Sequence, residues 1–508
     1  MTVIQAAKEY ILARPALWIL AAAFAAYTTS KYLWAYYRLR HIKGPWLAGF
    51  SDLWLMNKTL HGKTFEDIGR LCQTQGPLVR IAPNYISCGD PAEIRRLWAA
   101  RSGFDRAKWY QGFRLDPPHD VSISMCDAEA HTVFRSKLAP GYSGRGVTGL
   151  HEAIDAGILQ FVELIETKYI STEKAHRPVD MARKIQYLTL DIIAQIAFGE
   201  TLNFMSTDSD SFGYIEQAEA SMRIFQVIAL QPWILSVLQS PLLSRFPMPS
   251  ATDTVGLGRI KGIANNFVAK RFGPDKTELP DMLGSFLQHG VTRREAEAES
   301  LLQVIAGSDT TASALRTTLI HLLTNPPLYH RLQSEIDTAI ASGHISSPVI
   351  TDTEARQLPL LQATLKEGLR IWPPIHGIMP RVSKTDATIC GVRVPAGTNV
   401  CWSAWAVLRD KNVFGEDADV FRPERWLRAA GNEKQLVAMN GTLDLCFGGG
   451  QWSCLGRAIA QIELNKIIVE MLRRWDFTIV DAARPIKNEY SGLIMQSDLL
   501  VRIEKRAV

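Results

Sequence analysis

Apolar residues recur through most of the chain at the spacing of one face of an α-helix. The clearest helical segments are His131–Leu138, Ile154–Ile170, Met181–Phe198, Phe212–Leu230 and Leu358–Trp372. Two short apolar runs, Leu78–Ala82 and Tyr85–Cys88, are joined by Pro83-Asn84 and predict a hairpin. The pattern therefore predicts a mainly α fold with small β-sheets.

The longest predicted helix begins at Thr292, where Glu295 occupies the second position of a capping box, and ends at Asn325. It would be roughly 50 Å long. Its centre, Ala306–Thr311, is a run of weak helix formers, and such a conflict with local preference is expected where a site requires it. We expect the hydrogen-bond ladder of the backbone to bend or open here.

Side chains in the centre of this helix offer the chemistry of a site. Gly307 would permit the close approach of a flat ligand. Asp309 and Thr310 offer an acid and a hydroxyl that can hold water. The alternative is a kinked core helix whose polar residues face other helices, and the helix alone does not decide between the two.

A glycine-rich loop, Phe447–Arg457, delivers Cys454 to the start of another amphipathic helix. Consecutive glycines bury no side chain and cost conformational entropy, so they indicate a backbone that passes close to something flat or bulky. Unpaired amides and the helix dipole at a helix start lower the pKa of a thiol. A thiolate there can ligate a haem iron, and the alternative is a buried structural cysteine beside a tight turn.

A second polar constellation lies between these two segments. Glu367 and Arg370 share one face of a predicted helix because they are separated by one turn. Arg425, within Phe421–Trp426, could make a bidentate bond to the same carboxylate and fix the segment that leads into the cysteine loop. A solvated ion pair is the alternative.

Composition restricts the possible partners and the compartment. The chain has 508 residues, is 47% hydrophobic and carries a net charge of +5 from 56 basic and 51 acidic residues. It contains no dense basic block, so no nucleic-acid surface is indicated. The cysteines are odd in number and scattered, which favours reduced thiols and a cytosolic body.

The N-terminal segment has the composition of a membrane anchor. Ala16–Thr29 is nearly uncharged, and with its aromatic flanks it is long enough to span a bilayer. Basic residues follow up to Lys43, which by the positive-inside bias puts the body in the cytosol. We expect residues 1–43 to form the anchor with its basic flank and residues 44–508 to form one catalytic domain. A cleaved signal peptide is the alternative.

A second apolar stretch, Ile224–Leu243, is interrupted by polar residues, so a second membrane span is not expected. It forms either a buried helix pair or a segment that dips into the bilayer surface.

Four motifs in this order resemble those of the cytochrome P450 family: Ala306–Thr311, Glu367 with Arg370, Pro423–Trp426, and Phe447–Gly456. The resemblance spans nearly the whole chain. It implies a mainly helical fold with one haem b between the long central helix and the cysteine loop. Cys454 would be the axial ligand of the iron. Asp309 and Thr310 would be the acid–alcohol pair that relays protons to dioxygen, and Glu367, Arg370 and Arg425 would be structural.

The resemblance also implies the residues that hold the haem, namely Phe447, Gly450, Trp452, Gly456, His131, Arg135, Arg381, Ala306 and Gly307. Trp452 departs from the family pattern, which most often has an arginine here that binds a haem propionate. Because an indole carries no charge, neutralisation of the propionates would fall on Arg135 and Arg381. His131 stands where many members have a tryptophan.

The implied activity is a monooxygenase that inserts one oxygen atom from O2 into a hydrophobic small molecule. Electrons would come from NADPH through a membrane-bound cytochrome reductase, with cytochrome b5 as a further candidate donor. The implied location is the endoplasmic reticulum membrane, with a single-pass anchor and a cytosolic catalytic domain. The Trp109-Tyr110 loop and the general character of the sequence resemble fungal members of the family that act in specialised metabolism, including the pisatin demethylase type.

The substrate pocket would be built from mostly apolar segments, namely Trp109–Ser124, the region of Phe225, Val304 with Gly307, Ile375–Met379, and Leu493–Met495. Two other functions compete with the monooxygenase. One is an isomerase or dehydratase that keeps the haem-thiolate but uses no dioxygen. The other is a haem-binding membrane protein without turnover.

Overall fold

The fold is seen in a computed structural model that describes residues 3–114, 119–144, 146–231, 233–234, 237, 249–274, 276–428 and 432–506, with side chains from Trp18 onward. In chain order the α-helices of these residues are α1 Val3–Leu39, α2 Leu53–Leu60, α3 Thr64–Gln75, α4 Pro91–Trp98, α5 Ala128–Tyr142, α6 Leu150–Lys168, α7 Met181–Phe198, α8 Phe204–Thr207, α9 Tyr214–Leu230, α10 Gly256–Ala269, α11 Met282–Gln288, α12 Arg293–Leu323, α13 Pro326–Ala341, α14 Asp352–Ala355, α15 Pro359–Ile371, α16 Ala404–Leu408, α17 Lys411–Phe414, α18 Glu424–Arg428, α19 Glu433–Leu443 and α20 Arg457–Arg474.

The strands are β1 Leu78–Ala82, β2 Tyr85–Cys88, β3 Phe104–Arg106, β4 Val179–Asp180, β5 Arg381–Ser383, β6 Ala387–Ile389, β7 Val392–Val394, β8 Asn399–Trp402, β9 Trp475–Ile479, β10 Lys487–Tyr490, β11 Ile494–Ser497 and β12 Leu500–Lys505. The prediction of a mainly α fold with small sheets is confirmed. The predicted hairpin is β1–β2, and the predicted helix Met181–Phe198 is α7 with the same bounds.

One five-stranded sheet, in the order β1-β2-β8-β5-β3, carries two residues that matter for the site. Strands β3 and β5 are antiparallel, and their register sets Arg106 directly opposite Arg381. Directly opposite residues in a sheet project from the same face. The sheet thus brings together two arginines that are far apart in the sequence.

The central helix, α12, is continuous from Arg293 to Leu323. The capping box of Thr292 and Glu295 is present, as predicted. Helical geometry runs unbroken through Ala306–Thr311, so the expectation that the backbone ladder opens here is wrong. Gly307 packs against Ile193 and Asp309 accepts from Gln186, both on α7. The central helix is also shorter than α1, which spans 37 residues, so the prediction that it is the longest helix is wrong.

Helix α1 joins the sheet region at its C-terminal end. Leu39 is fully buried, and the Arg80 guanidinium donates to the carbonyl oxygens of Ala35, at 3.0 Å, and Tyr36, at 3.3 Å. Over the part of the chain that the structure describes, no helix combines the length and the apolar character needed to cross a membrane. The predicted single-pass span is therefore not supported.

Two predicted segments are only partly described. The predicted pocket segment Trp109–Ser124 begins within a 3-10 helix, Lys108–Phe113, which follows β3, and its residues 115–118 lie outside the described residues. Of the apolar stretch 224–243, the first part continues α9 to Leu230, and residues 238–243 lie outside the described residues. The C-terminal sheets, β4-β12-β9 and β10-β11, were not predicted.

The helical core places α12 against α7 on one side and near α20 on another. Nearly every side chain of α7 is buried, since it lies in the middle of the helical layer. Helix α20 begins at Arg457, immediately after the cysteine loop. This arrangement holds the loop beside the central helix.

Candidate functional site

The cysteine loop is a sharply folded segment whose glycines are required by its backbone. The amide of Cys454 donates to the carbonyl oxygen of Phe447, with an N–O distance of 2.7 Å. Gly448 and Gly450 have φ angles of +74° and +61°, in the left-handed region that favours glycine. A Cβ at Gly450 would lie 2.7 Å from the carbonyl oxygen of Trp98. The bulky neighbour predicted for these glycines includes the backbone that follows α4.

The Cys454 thiol lies in a recess at the end of this loop, exposed yet enclosed by protein atoms. Gly456 lies beside it, and a Cβ there would make ordinary contact, 3.9 Å from Tyr142 and 4.0 Å from the Cys454 sulfur. Burial raises the pKa of the Cys454 thiol, while the Gly456 and Arg457 amides and the charge of Arg135 oppose that effect. The amides at the helix start lower this pKa as expected, but lost hydration outweighs them. A bound metal ion would stabilise the thiolate.

Trp452 lies at the centre of a buried cluster of donors. Its ring centroid is 4.3 Å from that of His131, and the Arg381 guanidinium carbon lies 5.4 Å from it. Several buried donors have no hydrogen-bond partner in the described structure: Trp452 Nε1, His131 Nδ1, and Arg381 Nε and Nη1. Burial and the nearby arginines lower the pKa of His131 to about 3, so this ring is neutral. Unpaired buried donors are costly, and the cluster is therefore built for an acceptor.

Arg135 makes its contacts with the loop itself. Its Nη1 donates to the carbonyl oxygen of Ser453 at 2.6 Å, and its Nη2 donates to the Ser453 hydroxyl at 3.1 Å. This places a positive charge beside Cys454 and fixes the residue that precedes it. The predicted contact of Arg135 with a propionate stays a prediction.

Asp309 faces α7 rather than the solvent. Gln186 Nε2 donates to Asp309 Oδ1, and Arg316 Nη2 donates to Gln186 Oε1, so the three side chains form a buried chain. Burial raises the pKa of Asp309 to about 6, opposed chiefly by the charge of Arg316 and the bond from Gln186. A carboxyl with such a pKa can both accept and release a proton near neutral pH.

Thr310 and its neighbours occupy other faces of the same helix. The Thr310 hydroxyl donates to the carbonyl oxygen of Ala306 at 2.8 Å, and Ala306 is exposed. Gly307 lies against α7, since a Cβ there would come 2.6 Å from Ile193 Cγ1. The close approach that Gly307 was expected to give a flat ligand is therefore taken by a helix contact. The acid and the hydroxyl, although adjacent, have separate partners.

Glu367 is the centre of a fully buried ion-pair network. Arg370 binds it bidentately, with Nε–Oε2 at 2.8 Å and Nη2–Oε1 at 2.7 Å. Arg425 Nε donates to Oε1 at 2.9 Å, and Trp426 Nε1 donates to Oε2 at 2.9 Å. The contact predicted for Arg425 is present but single, because its other nitrogens donate to backbone carbonyl oxygens and to Asp417.

Two small cavities bring together parts of the predicted substrate pocket. One is lined by Trp109, Leu230 and Ile378, and its polar members include Thr59, Gln226, His376 and Ser491. The other is lined by Asp309 together with Leu493–Met495 and residues of α7 and α9. Val304 is fully buried in the helical core, and Phe225 is half-buried. The predicted segments meet in part, around Trp109 and around Met495.

Known proteins identify the class to which this fold and site belong. The family model described as cytochrome P450 matches residues 99–501. The cytochrome P450 monooxygenase ABA1 of Pyricularia oryzae is 38% identical over 490 residues, which is 95% of each protein. The cytochrome P450 monooxygenase aba1 of Botryotinia fuckeliana is 36% identical over 469 residues, or 92% of each protein. The monooxygenase abl1 of Leptosphaeria maculans is 34% identical, over 90% of this chain and 82% of its own length.

The chain belongs to the cytochrome P450 family, and it is an oxidoreductase of the oxygen-incorporating, monooxygenase type. The family implies a haem with a cysteine thiolate ligand. The residues present fit such a group, because Cys454 is accessible in a recess and unpaired donors surround Trp452. The Cys454 recess would take the iron, and the donors would take the propionates.

Sequence reasoning missed several residues that the structure brings to this site. They are Arg106 beside Trp452, Gln186 and Arg316 beside Asp309, and Glu299, which binds Ser122. Arg316 lies two helical turns after Asp309, so the spacing could have indicated a shared face. The others reach the site from distant segments and carry no local signal.

Proposed function

We propose that the protein binds haem b through Cys454 and inserts one oxygen atom from O2 into a hydrophobic small molecule. Haem held by a thiolate supplies the iron centre at which dioxygen is activated. The observation that most favours a monooxygenase over an isomerase is Asp309, a buried carboxyl with a pKa of about 6 next to Thr310. The isomerase or dehydratase is favoured where the acid–alcohol pair is missing, and here Asp309 and Thr310 are both present.

Asp309 and Thr310 have different roles in proton delivery. Asp309 holds a proton beside Gln186 and Arg316. The charge of Arg316 limits how far burial raises the pKa of Asp309. Thr310 presents its hydroxyl oxygen as an acceptor while its proton is directed to the Ala306 carbonyl. A water between the two would carry the proton from the acid to the hydroxyl, since adjacent helix positions face different directions.

The substrate is proposed to be an apolar molecule with one polar group. The cavity at Trp109 has the apolar side chains of Phe65, Leu230 and Ile378, and its buried polar members are Thr59, Gln226, His376 and Ser491. Burial lowers the pKa of His376 to about 3, so this ring is neutral and can donate or accept one hydrogen bond. An intermediate of fungal specialised metabolism fits this description, and the named relatives are fungal monooxygenases.

Electrons are proposed to come from NADPH through a cytochrome reductase, with cytochrome b5 as a second candidate donor. This proposal rests on the family to which the chain belongs. The endoplasmic reticulum, with the catalytic domain facing the cytosol, is proposed on the same ground. Division of the chain at residue 43, with one catalytic domain from 44 to 508, stays a prediction.

The test is turnover of the full chain with reductase, NADPH and labelled dioxygen against a panel of apolar fungal metabolites. We expect substrate-dependent NADPH oxidation and one labelled oxygen atom in the product. Turnover that needs neither NADPH nor dioxygen would favour the isomerase or dehydratase. Haem binding without turnover of any compound, under conditions where a related monooxygenase is active, would favour the binding protein.

A further inference from the structure

Two thiols from distant parts of the chain face each other beside the five-stranded sheet. Cys88 is the last residue of β2 and is fully buried. Cys390 lies between β6 and β7, is half-buried, and is separated from Cys88 by 302 positions in the sequence. The two sulfur atoms are 3.8 Å apart, within reach of a hydrogen bond between thiols. The fold therefore brings together one partly accessible thiol and one enclosed thiol.

Cys390 occupies a turn position that ordinarily holds a different residue. Strands β6 and β7 pair Ile389 with Val392, so Cys390 and Gly391 form a two-residue hairpin turn. Their φ angles are +49° and +75°, and a type I′ turn requires positive φ at both positions. Asparagine, aspartate or glycine is preferred at the first position, because other side chains are strained there. A cysteine held in this conformation points to a use for its thiol.

The surroundings of the two thiols differ in the way that redox chemistry requires. The hydrogen bond from Cys88 lowers the pKa of Cys390, and partial burial, Asp90 and Glu93 oppose that effect. The contact with Cys390 and burial raise the pKa of Cys88. Because a thiol attacks as its thiolate, Cys390 is the better nucleophile of the two. Redox-sensing cysteines combine a lowered pKa, access to solvent and a second thiol within reach.

A disulfide between the two thiols requires only a small movement. The sulfur atoms have to approach from 3.8 Å to about 2.05 Å. The hairpin that carries Cys390 is a two-stranded sheet of its own, and it is held to α4 by Arg96, whose Nη2 donates to the carbonyl oxygen of Thr388 at 2.8 Å. Since a two-stranded hairpin has little stability of its own, it can follow its sulfur without disturbing the larger sheet.

We propose that Cys88 and Cys390 form an oxidative modification site, at which hydrogen peroxide converts the two thiols into a disulfide. The Cys390 thiolate attacks one peroxide oxygen, the O–O bond breaks, and the released hydroxide takes up the proton that Cys390 lost. The Cys88 sulfur then attacks the sulfenic sulfur of Cys390, and the S–O bond breaks as the S–S bond forms. The second hydroxide leaves as water with the proton of Cys88. One peroxide thus accepts two electrons from the two thiols and yields two waters.

The disulfide would join segments that the reduced chain holds together by packing and hydrogen bonds. It would tie the β6–β7 hairpin to β2 across a sequence separation of 302 positions. A cross-link that closes a long loop removes much conformational freedom from the unfolded chain, so oxidation should stabilise the fold. Neither thiol belongs to the residues assigned to the haem or to proton delivery. The disulfide therefore forms or fails to form whether or not the protein turns over a substrate.

The test is peptide mapping of the full chain after treatment with one equivalent of hydrogen peroxide and alkylation of the remaining thiols. Trypsin releases Cys88 in residues 81–95 and Cys390 in residues 385–393, each without a second cysteine. We expect a species that joins these two peptides and that dithiothreitol returns to two free thiols. The denaturant midpoint of the oxidised chain should be higher than that of the reduced chain.

Three variants assign the roles of the thiols. Cys88→Ala removes the second thiol, so Cys390 should stop at the sulfenic acid and be labelled by dimedone. Cys390→Asn suits the turn, since asparagine is preferred there, and it should fold without forming the disulfide. Cys72→Ala is the matched control, because Cys72 is a buried thiol on α3 whose pKa burial raises to about 12. It should leave the disulfide unchanged. In the reduced natural chain, iodoacetamide should alkylate Cys390 about tenfold faster or more than Cys72.

Each outcome supports or overturns the proposal. Free thiols at both positions after peroxide treatment would overturn it and would show two cysteines that only pack together. A disulfide between Cys390 and Cys72 would overturn the assignment of Cys88. A denaturant midpoint that falls on oxidation would show that the native structure does not accommodate the bond, which also counts against the proposal. If Cys88→Ala does not fold, the peptide maps of the natural chain and of Cys390→Asn decide.

Discussion

Gly307 and Ile193 bring the central helix and α7 into direct contact, since a Cβ on Gly307 would lie 2.6 Å from Ile193 Cγ1. Alanine at 307 improves helix propensity by at most about 1 kcal/mol. Overpacking at a contact this close costs typically about 1–3 kcal/mol. We predict that Gly307→Ala lowers the free energy of unfolding, measured by denaturant titration.

Two further variants separate packing from propensity. Ile193→Ala in the Gly307→Ala background should recover part of the loss, as a favourable coupling energy in a double-mutant cycle. Gly441→Ala, in α19, is the matched control, because a Cβ there would make only ordinary contact at 3.6 Å from Arg95. It should stabilise the protein slightly. Strict additivity of the 307 and 193 changes would contradict the predicted clash.

Asp309→Asn should slow product formation while leaving haem binding unchanged. A positioned acid contributes about 100-fold or more to proton transfer, and the amide keeps the shape but not the proton. Because burial raises the pKa of Asp309 to about 6, the protonated acid is depleted above that pH, and kcat/KM of the natural chain should fall as the pH rises through 6. The asparagine variant should lack this inflection. The same pH profile in both proteins would remove Asp309 from the relay.

Glu463 makes stability depend on pH. Burial raises its pKa to about 8, and one of its oxygens has no hydrogen-bond partner in the described structure. The folded protein therefore holds a proton that the unfolded chain, with a glutamate pKa near 4.3, releases. This contribution to stability is full below the unfolded pKa and is lost as the pH rises through about 8.

Glu463→Gln removes the titrating group. Between pH 6 and 8 the free energy of unfolding of the natural chain should fall relative to the variant by about 1.4 kcal/mol per pH unit. Denaturant titrations at a series of pH values measure the difference. Parallel stability curves would show that Glu463 is not the buried titrating group.

Glu367→Gln should destabilise the fold and reduce the haem content of the purified protein. Its carboxylate is completely buried between Arg370 and Arg425, and breaking such a pair costs about 3–5 kcal/mol. Glu66→Gln is the control, since the pair of Glu66 with Arg70 is largely exposed on α3. It should change stability by less than about 1 kcal/mol. Equal effects of the two changes would contradict a structural role specific to Glu367.

Features that depend on residues close together in the sequence could be predicted. The capping box of Thr292 and Glu295 depends on residues one turn apart, and it is present. The contact of Arg425 with Glu367 was predicted because a guanidinium can bind a carboxylate bidentately and so fix the segment that leads into the cysteine loop. Its single rather than bidentate geometry depends on the carbonyl oxygens around it, which no local pattern reveals.

Tertiary neighbours account for what the sequence could not reveal. The contact of Gly307 with Ile193 belongs to the packing of two helices, which the sequence alone does not reveal. The pKa of the Cys454 thiol depends on burial that its own loop does not determine. Arg106 reaches Trp452 only because β3 pairs with β5.

The most direct test of the central claim, that Cys454 ligates the haem iron, is the carbon monoxide difference spectrum of the reduced protein. The natural chain should give the red-shifted Soret band of a thiolate ligand. Cys446→Ala should keep this band, since the Cys446 thiol donates to the Leu369 carbonyl. Cys454→Ala should lose it. A thiolate-type band that survives in Cys454→Ala, or disappears in Cys446→Ala, would contradict the assignment.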